Sequence, residues 1–409
     1  MGLKNFFRQI GPGPLVAAAF IGPGTVTVCT LAGVHFGYTL LWAMAFSIVA
    51  TVILQEMSAR LGVVTQQGLS NIIRTEITVV WVRRLLVTLI LCAIVIGNAA
   101  YEGGNISGGM LGMESLFGKL QWNLGSIELN GHSFLIGLIA FCLLYFGNNK
   151  ILEKILLGLV ILMSLAFLMT AIITQPSLSG IANGLFSFQS PEGSLFTIVA
   201  LIGTTVVPYN LFLHASLVRE KWHAVTDIPY AQRDTFVAII LGGLVSMSII
   251  IAATAIETKE IGSAADLAQG LEPLFGSFSK YAMSIGLFAA GLTSAITAPL
   301  AAAYVTTGCL GKSSQRKQPL FRGTWIAILG LGVLFATLGL KPITIIQFAQ
   351  VANGLLLPIV AGFLIWVMNK SSLLGSYKNK AYQNILGIFV LLITLFLGLK
   401  SILTVLGVI

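Results

Sequence analysis

Polar residues are sparse along this chain, and between them run continuous apolar stretches of helix length. Eleven spans are predicted, at roughly 13–36, 39–62, 84–112, 133–148, 151–174, 194–219, 233–256, 279–308, 322–340, 343–368 and 383–407. A helix needs about 20 apolar residues to cross roughly 30 Å of hydrocarbon. Barrel strands would instead alternate apolar and polar residues over about 10 positions, and these runs are unbroken. One stretch disturbs the pattern. In AAFIGPGTVTV, residues 18–28, the helix breakers Gly22, Pro23 and Gly24 stand inside the first span.

Irregular backbone at membrane depth is tolerated only where it is buried in protein or lines a cavity. A second break occurs in the sixth span, where ALIGTTVVPYNLFLH carries Pro208 near its middle. A lone proline in a membrane helix is commonly just a kink. Two in corresponding helices favour a transport site. Residues 13–174 and 194–368 then form two five-helix halves, each opening on an interrupted helix, with 383–407 as an extra helix. Five is odd, so the halves are expected to be inverted repeats. Such repeats place the binding site near the bilayer midplane, with freed amides and carbonyls as ligands.

Composition agrees with a single transmembrane domain. The 409 residues are 56% hydrophobic and 9% charged, against about 25% charged in soluble domains. The net charge of +9 is topological rather than a sign of nucleic acid or another acidic partner. With the N-terminus cytoplasmic, the inside segments hold 18 Lys and Arg: Lys4, Arg8, Arg60, Arg74, Arg83, Arg84, Lys150, Lys154, Arg219, Lys221, Arg233, Lys312, Arg316, Lys317, Arg322, Lys370, Lys378 and Lys380. The outside segments hold 5: Lys119, Lys259, Lys280, Lys341 and Lys400. The positive-inside rule thus predicts a multi-pass protein of the plasma or inner membrane, N-terminus in and C-terminus out. Cys29, Cys92, Cys142 and Cys309 form no CxxC pair, so no disulfide framework or thiolate metal site is implied. No phosphate-binding G-x-x-x-x-G-K-[ST] motif is present, so ATP-driven pumping by this chain is not expected. No Ser/His/Asp set suggests an enzyme, and no cofactor is called for. The expected partners are the lipid bilayer and a small solute or ion.

The stretch GPGPLVAAAFIGPGTVTVCTLAGVHFGYTLLW resembles the first helix of the NRAMP (natural resistance-associated macrophage protein) divalent-metal transporters. SARLGVVTQQGL, IGTTVVPYNLFLHASLV, GLTSAIT and QFAQVANGLLLP match in order along nearly the whole chain. The resemblance implies an all-α LeuT-type fold with eleven helices, two inverted repeats and broken helices one and six. It also exposes a departure. The family's Asp-Pro-Gly-Asn is here Gly22-Pro23-Gly24-Thr25, and its Met-Pro-His-Asn is Val207-Pro208-Tyr209-Asn210. The family's Asp, Asn and Met ligands and its carbonyl ligand therefore map to Gly22, Thr25, Val207 and Thr204. The breaks survive while the carboxylate and the soft thioether are gone. A thioether favours Mn, Fe or Cd over Mg and Ca, and a bare divalent ion at a neutral site in low dielectric is very costly.

The family's proton-route residues map to Glu102, Asn105 and Thr324, with Tyr209 at its span-six histidine and His214 at the next one. Glu102, in NAAYEGGNISGG, is the clear intramembrane acid and by default a functional candidate for proton or ion relay; alternatively it bonds a neighbouring amide. Its neighbours Gly103 and Gly104 would admit a close helix or expose backbone to a cavity. His214 is either a relay or a satisfied polar residue. Tyr209, Gln350 and Asn353 are candidates to gate or line the cavity, and the latter two are equally explained as helix-bridging residues. The leading expectation is a transporter of a divalent cation of the Mg²⁺/Mn²⁺ class, held with part of its water by Thr25, Thr204 and Asn210 and weakly or not proton-coupled. The alternatives are a LeuT-fold carrier of a small organic or uncharged solute and a non-transporting sensor.

Overall fold

The computed structural model describes residues 11–13, 21–124, 127–146, 150–312, 315, 317–338 and 340–407. Most of the first half of the span expected at 13–36 lies outside the described residues, as do Lys4, Arg8 and Arg316 used for orientation. The long helices are α1 (Pro23–Phe36), α2 (Leu41–Thr65), α3 (Val80–Phe117), α4 (Gly131–Phe146), α5 (Lys150–Ile173) and α6 (Leu195–Thr205). They continue as α7 (Pro208–Lys221), α8 (Ile228–Ala253), α9 (Ser279–Leu310), α10 (Pro319–Thr337), α11 (Pro342–Met368) and α12 (Ala381–Val405). Among the described residues nine helical stretches are long and apolar enough to cross a membrane, one of them joining α6 to α7; α4 is a shorter apolar helix. In hydrocarbon every backbone polar group must be satisfied within its own segment, which leaves helix as the form these runs can take. The hairpin Gln121–Leu124 with Ile127–Asn130 and several short helices fill the longer loops.

Boundaries moved where a residue enforces them. The span expected at 84–112 runs to Phe117 because it ends at Gly118, whose φ of 81° suits glycine. Arg60, inside the second span, is tolerated because Glu56 pairs with it at 2.9 Å, Asn379 Oδ1 accepts from its Nη2 and the Tyr377 carbonyl from its Nη1.

The centre of the molecule is α3 and α9 in close contact, with α11, α10 and α1 against α3. Glycine permits this. A Cβ at Gly112 would stand 2.3 Å from the Ser284 carbonyl oxygen of α9, and one at Gly108 would stand 2.0 Å from Pro23 Cβ. Without side chains at these positions, α3 becomes the surface on which the first break rests. Gly103 and Gly104 serve the same end: their open faces are filled by Phe335 of α10 and Ala349 of α11.

Candidate functional site

The two breaks are built alike. α1 begins with Pro23 at its first position after Gly22, which is extended at φ −115° and ψ −173°. α7 begins with Pro208 after Val207, extended at φ −74° and ψ 122°. Proline suits this place because its missing N–H would be unpaired anyway. It also strips the preceding half-helix of a donor. Pro208 lies four residues after Thr204, so the Thr204 carbonyl has lost its ordinary helical partner.

The breaks meet side by side. Thr25 Oγ1 and Thr204 Oγ1 are 2.8 Å apart and fully buried. Asn210, one turn into α7, is buried with neither Oδ1 nor Nδ2 partnered. Val207 is buried beside it. Tyr209 packs edge-on against Tyr101 of α3, with ring centroids 5.7 Å apart. A Cβ on Gly22 would lie 3.1 Å from Ser294 Oγ and 3.8 Å from the Tyr101 hydroxyl.

From α11, Gln350 reaches Gly24 so closely that a Cβ there would stand 2.0 Å from Nε2. Its Oε1 has no partner. Gln350 is held there because α11 and α6 touch backbone to backbone: a Cβ on Gly203 would be 1.9 Å from the Gln350 carbonyl oxygen. Asn353, one turn on, is buried with Nδ2 unpartnered and faces Gly97 of α3.

Sequence reasoning thus named Gly22, Thr25, Thr204, Val207, Tyr209, Asn210 and Gln350, which the structure gathers at the breaks. It missed Tyr101 and Ser294. Ser294 lay inside the noted GLTSAIT and Tyr101 adjoined Glu102, but only the fold aims them at Gly22. Glu102 follows Tyr101 on α3 and turns to α10, where its Cγ fills the space above Gly332. Asn105 Nδ2 donates to its Oε2 at 3.3 Å, and Oε1 has no partner. Thr324 lies apart, donating to the Leu320 carbonyl of its own helix. His214 sits further along α7, with Nδ1 2.8 Å from Gln55 Oε1 and Nε2 3.5 Å from Thr235 Oγ1. No group of three or more His, Cys, Asp or Glu converges among the described residues.

Residues 13–404 match the family described as Natural resistance-associated macrophage protein-like. The chain belongs to this family. It is 26% identical over 400 residues to the Divalent metal cation transporter MntH of Caldanaerobacter subterraneus subsp. tengcongensis, covering 95% of this chain and 91% of that protein. Against MntH of Bradyrhizobium diazoefficiens it is 28% identical over 402 residues, covering 93% and 85%. Among solved structures, the Eremococcus coleocola manganese transporter in complex with an aromatic bis-isothiourea substituted compound superposes with a TM-score of 0.78 at 20% identity, covering 99% of this chain and 88% of that one. MhsT in complex with L-phenylalanine superposes at 0.58 and 15% identity, covering 96% and 98%. The NRAMP chain therefore has the LeuT-type helical fold of a multi-pass membrane transporter, and it is no enzyme.

Proposed function

We propose that this NRAMP-family chain is a secondary transporter of a divalent cation that keeps part of its water shell at the breaks. The observation that carries this reading is the Thr25–Thr204 pair: two buried hydroxyls in contact across the two broken helices, beside a carbonyl that Pro208 has freed. All are neutral oxygens. A Mg²⁺-like ion gives up its waters reluctantly and is content with water between itself and the protein. Such waters are donors, and the unpartnered acceptors Asn210 Oδ1 and Gln350 Oε1 suit them. Glu102 is the buried carboxylate of α3, next to Tyr101 in sequence and turned to α10. The substitution of Tyr209 and Asn105 into the family's proton-route positions supports weak or absent proton coupling. The two halves act as inverted repeats rocking about these breaks, with the N-terminus cytoplasmic.

One observation favours a second reading. Asn210 Nδ2 and Asn353 Nδ2 are buried donors without acceptors. A small polar organic solute would satisfy them, whereas a bare cation would not. Proteoliposomes loaded with metal-sensitive dye separate the two. Saturable Mg²⁺ or Mn²⁺ uptake, abolished by Glu102→Gln, is the expected result. Absence of uptake for Mg²⁺, Mn²⁺ and Ca²⁺ alike overturns the cation reading in favour of an organic cargo.

A further inference from the structure

Away from the breaks, α12 stands off from α6 and α11 and leaves a cavity of about 450 Å³. This lies within the range of roughly 300–1,000 Å³ usual for ligand pockets. Its inner wall is Val28 of α1, and its sides include Ala200, Val351 and Leu355. The polar groups in its lining are Thr197, Thr344, Gln347 and Ser401. Thr197 and Thr344 lie in the first turns of α6 and α11, Gln347 one turn further in, and Ser401 one turn from the end of α12. The polar lining is thus gathered within two turns of one membrane face, at about 5.4 Å per turn. Ser401 is 1% exposed, and its Oγ has no partner.

The mouth identifies the occupant. It opens beside Phe348, 65% exposed, and Val405, 71% exposed, on helices long and apolar enough to cross a bilayer. We infer that this groove holds one acyl chain of an ester-linked glycerolipid, with the ester carbonyl accepting a hydrogen bond from Ser401 Oγ. The chain runs inward past Val351 and Leu355 to Val28. Polar groups near the ends of spanning helices suit the polar end of a lipid, since the hydrocarbon core is bounded by the headgroup region. The same helix carries both sites on different faces. Gln347, Val351 and Leu355 face the groove at intervals of four, while Gln350 packs on Gly24 at the break. A seated chain therefore packs between α12 and the α6–α11 pair, whose own backbones already touch at Gly203 and Gln350, without reaching the break.

The test is photolabelling of the full chain in phosphatidylethanolamine–phosphatidylglycerol bilayers with a trace of phosphatidylcholine bearing a diazirine on one acyl chain. Label should concentrate on residues 347–355 and 401–406 and saturate as the probe is raised. Ile402 is 45% exposed, so Ile402→Trp fills the groove from outside without burdening the core, and should abolish that label. Ser401→Ala should weaken labelling about five-fold, the value of one hydrogen bond. Label spread evenly onto the exposed Phe389 and Phe396 of α12, or unchanged by Ile402→Trp, overturns the inference. The readout is independent of transport, so a chain that moves no cation would still be labelled.

Discussion

If Gly22, Thr25 and Val207 are what sets this chain apart from the family's Asp, Asn and Met ligands, restoring those side chains should restore metal binding. The triple variant Gly22→Asp, Thr25→Asn, Val207→Met tests this. Gly22 has negative φ and extended ψ, which any L-residue adopts. Its new Cβ would meet Ser294 Oγ at 3.1 Å, and a serine side chain can rotate away. The aspartate would also cap α1, which has no side-chain cap now; against the glycine it replaces, a cap contributes only about a few tenths of a kcal/mol and the helix dipole about 0.3–1 kcal/mol more. Against this, a buried carboxylate costs several kcal/mol, and enlarging the fully buried Val207 costs about 1–3 kcal/mol. The metal-free variant should therefore unfold more easily by a few kcal/mol. Mn²⁺ at about 100 times its dissociation constant returns roughly 2.7 kcal/mol. Thermal unfolding and titration calorimetry with Mn²⁺ and Mg²⁺ read both effects. The thioether predicts preference for Mn²⁺. A folded, monodisperse variant showing neither Mn²⁺ heat nor Mn²⁺-dependent stabilisation would refute the claim that three side chains set the selectivity.

Three further outcomes follow from the packing. Gly24→Ala places a Cβ 2.0 Å from Gln350 Nε2, a mobile end that can swing away; uptake should fall to the level of Gln350→Ala while unfolding stays near that of the parent. Gly108→Ala instead meets the Pro23 ring at 2.0 Å, which cannot rotate away, so denaturation should show a loss of about 1–3 kcal/mol together with lost transport. Asp234 accepts the Gly11 and Gly13 amides at 2.9 and 2.7 Å. Asp234→Ala should therefore raise amide exchange at both glycines, each bond to a charged group contributing about 1.5–3 kcal/mol.

The breaks were legible because glycine and proline inside apolar runs contradict their surroundings, and the structure turns both prolines into first helical residues. Which residues face the breaks was not. α1 is buried on almost every side, so its pattern carries no stripe from which a face could be read. Tyr101 reaches Tyr209 and Gly22 across long sequence separations, and nothing local to NAAYEGGNISGG says whether Tyr101 or Glu102 points there. The structure divides them: Tyr101 turns to the break and Glu102 to Gly332. His214 was ambiguous for the same reason, since Gln55 and Thr235 arrive from α2 and α8.

The energetic consequence of Gly22 bears on cargo most directly. At an effective dielectric of about 20, a carboxylate 4 Å from a unit charge contributes roughly 4 kcal/mol, and about twice that for a divalent ion. An ion that must shed its water to fit cannot recover this from neutral hydroxyl oxygens, which ligate it as dipoles and carry no net charge to offset its own. An ion that retains its water never needed the carboxylate as a direct ligand. Its shell displaces the mutual bond of Thr25 and Thr204 and donates to the Thr204 carbonyl, Asn210 Oδ1 and Gln350 Oε1. Loss of the carboxylate and thioether therefore weakens binding of dehydrated, soft ions far more than of hydrated, hard ones. Uptake of Mn²⁺ should not exceed that of Mg²⁺ at equal concentration in proteoliposomes. A strong Mn²⁺ preference in the unmodified chain would mean that ligands other than Thr25, Thr204 and Asn210 hold the ion.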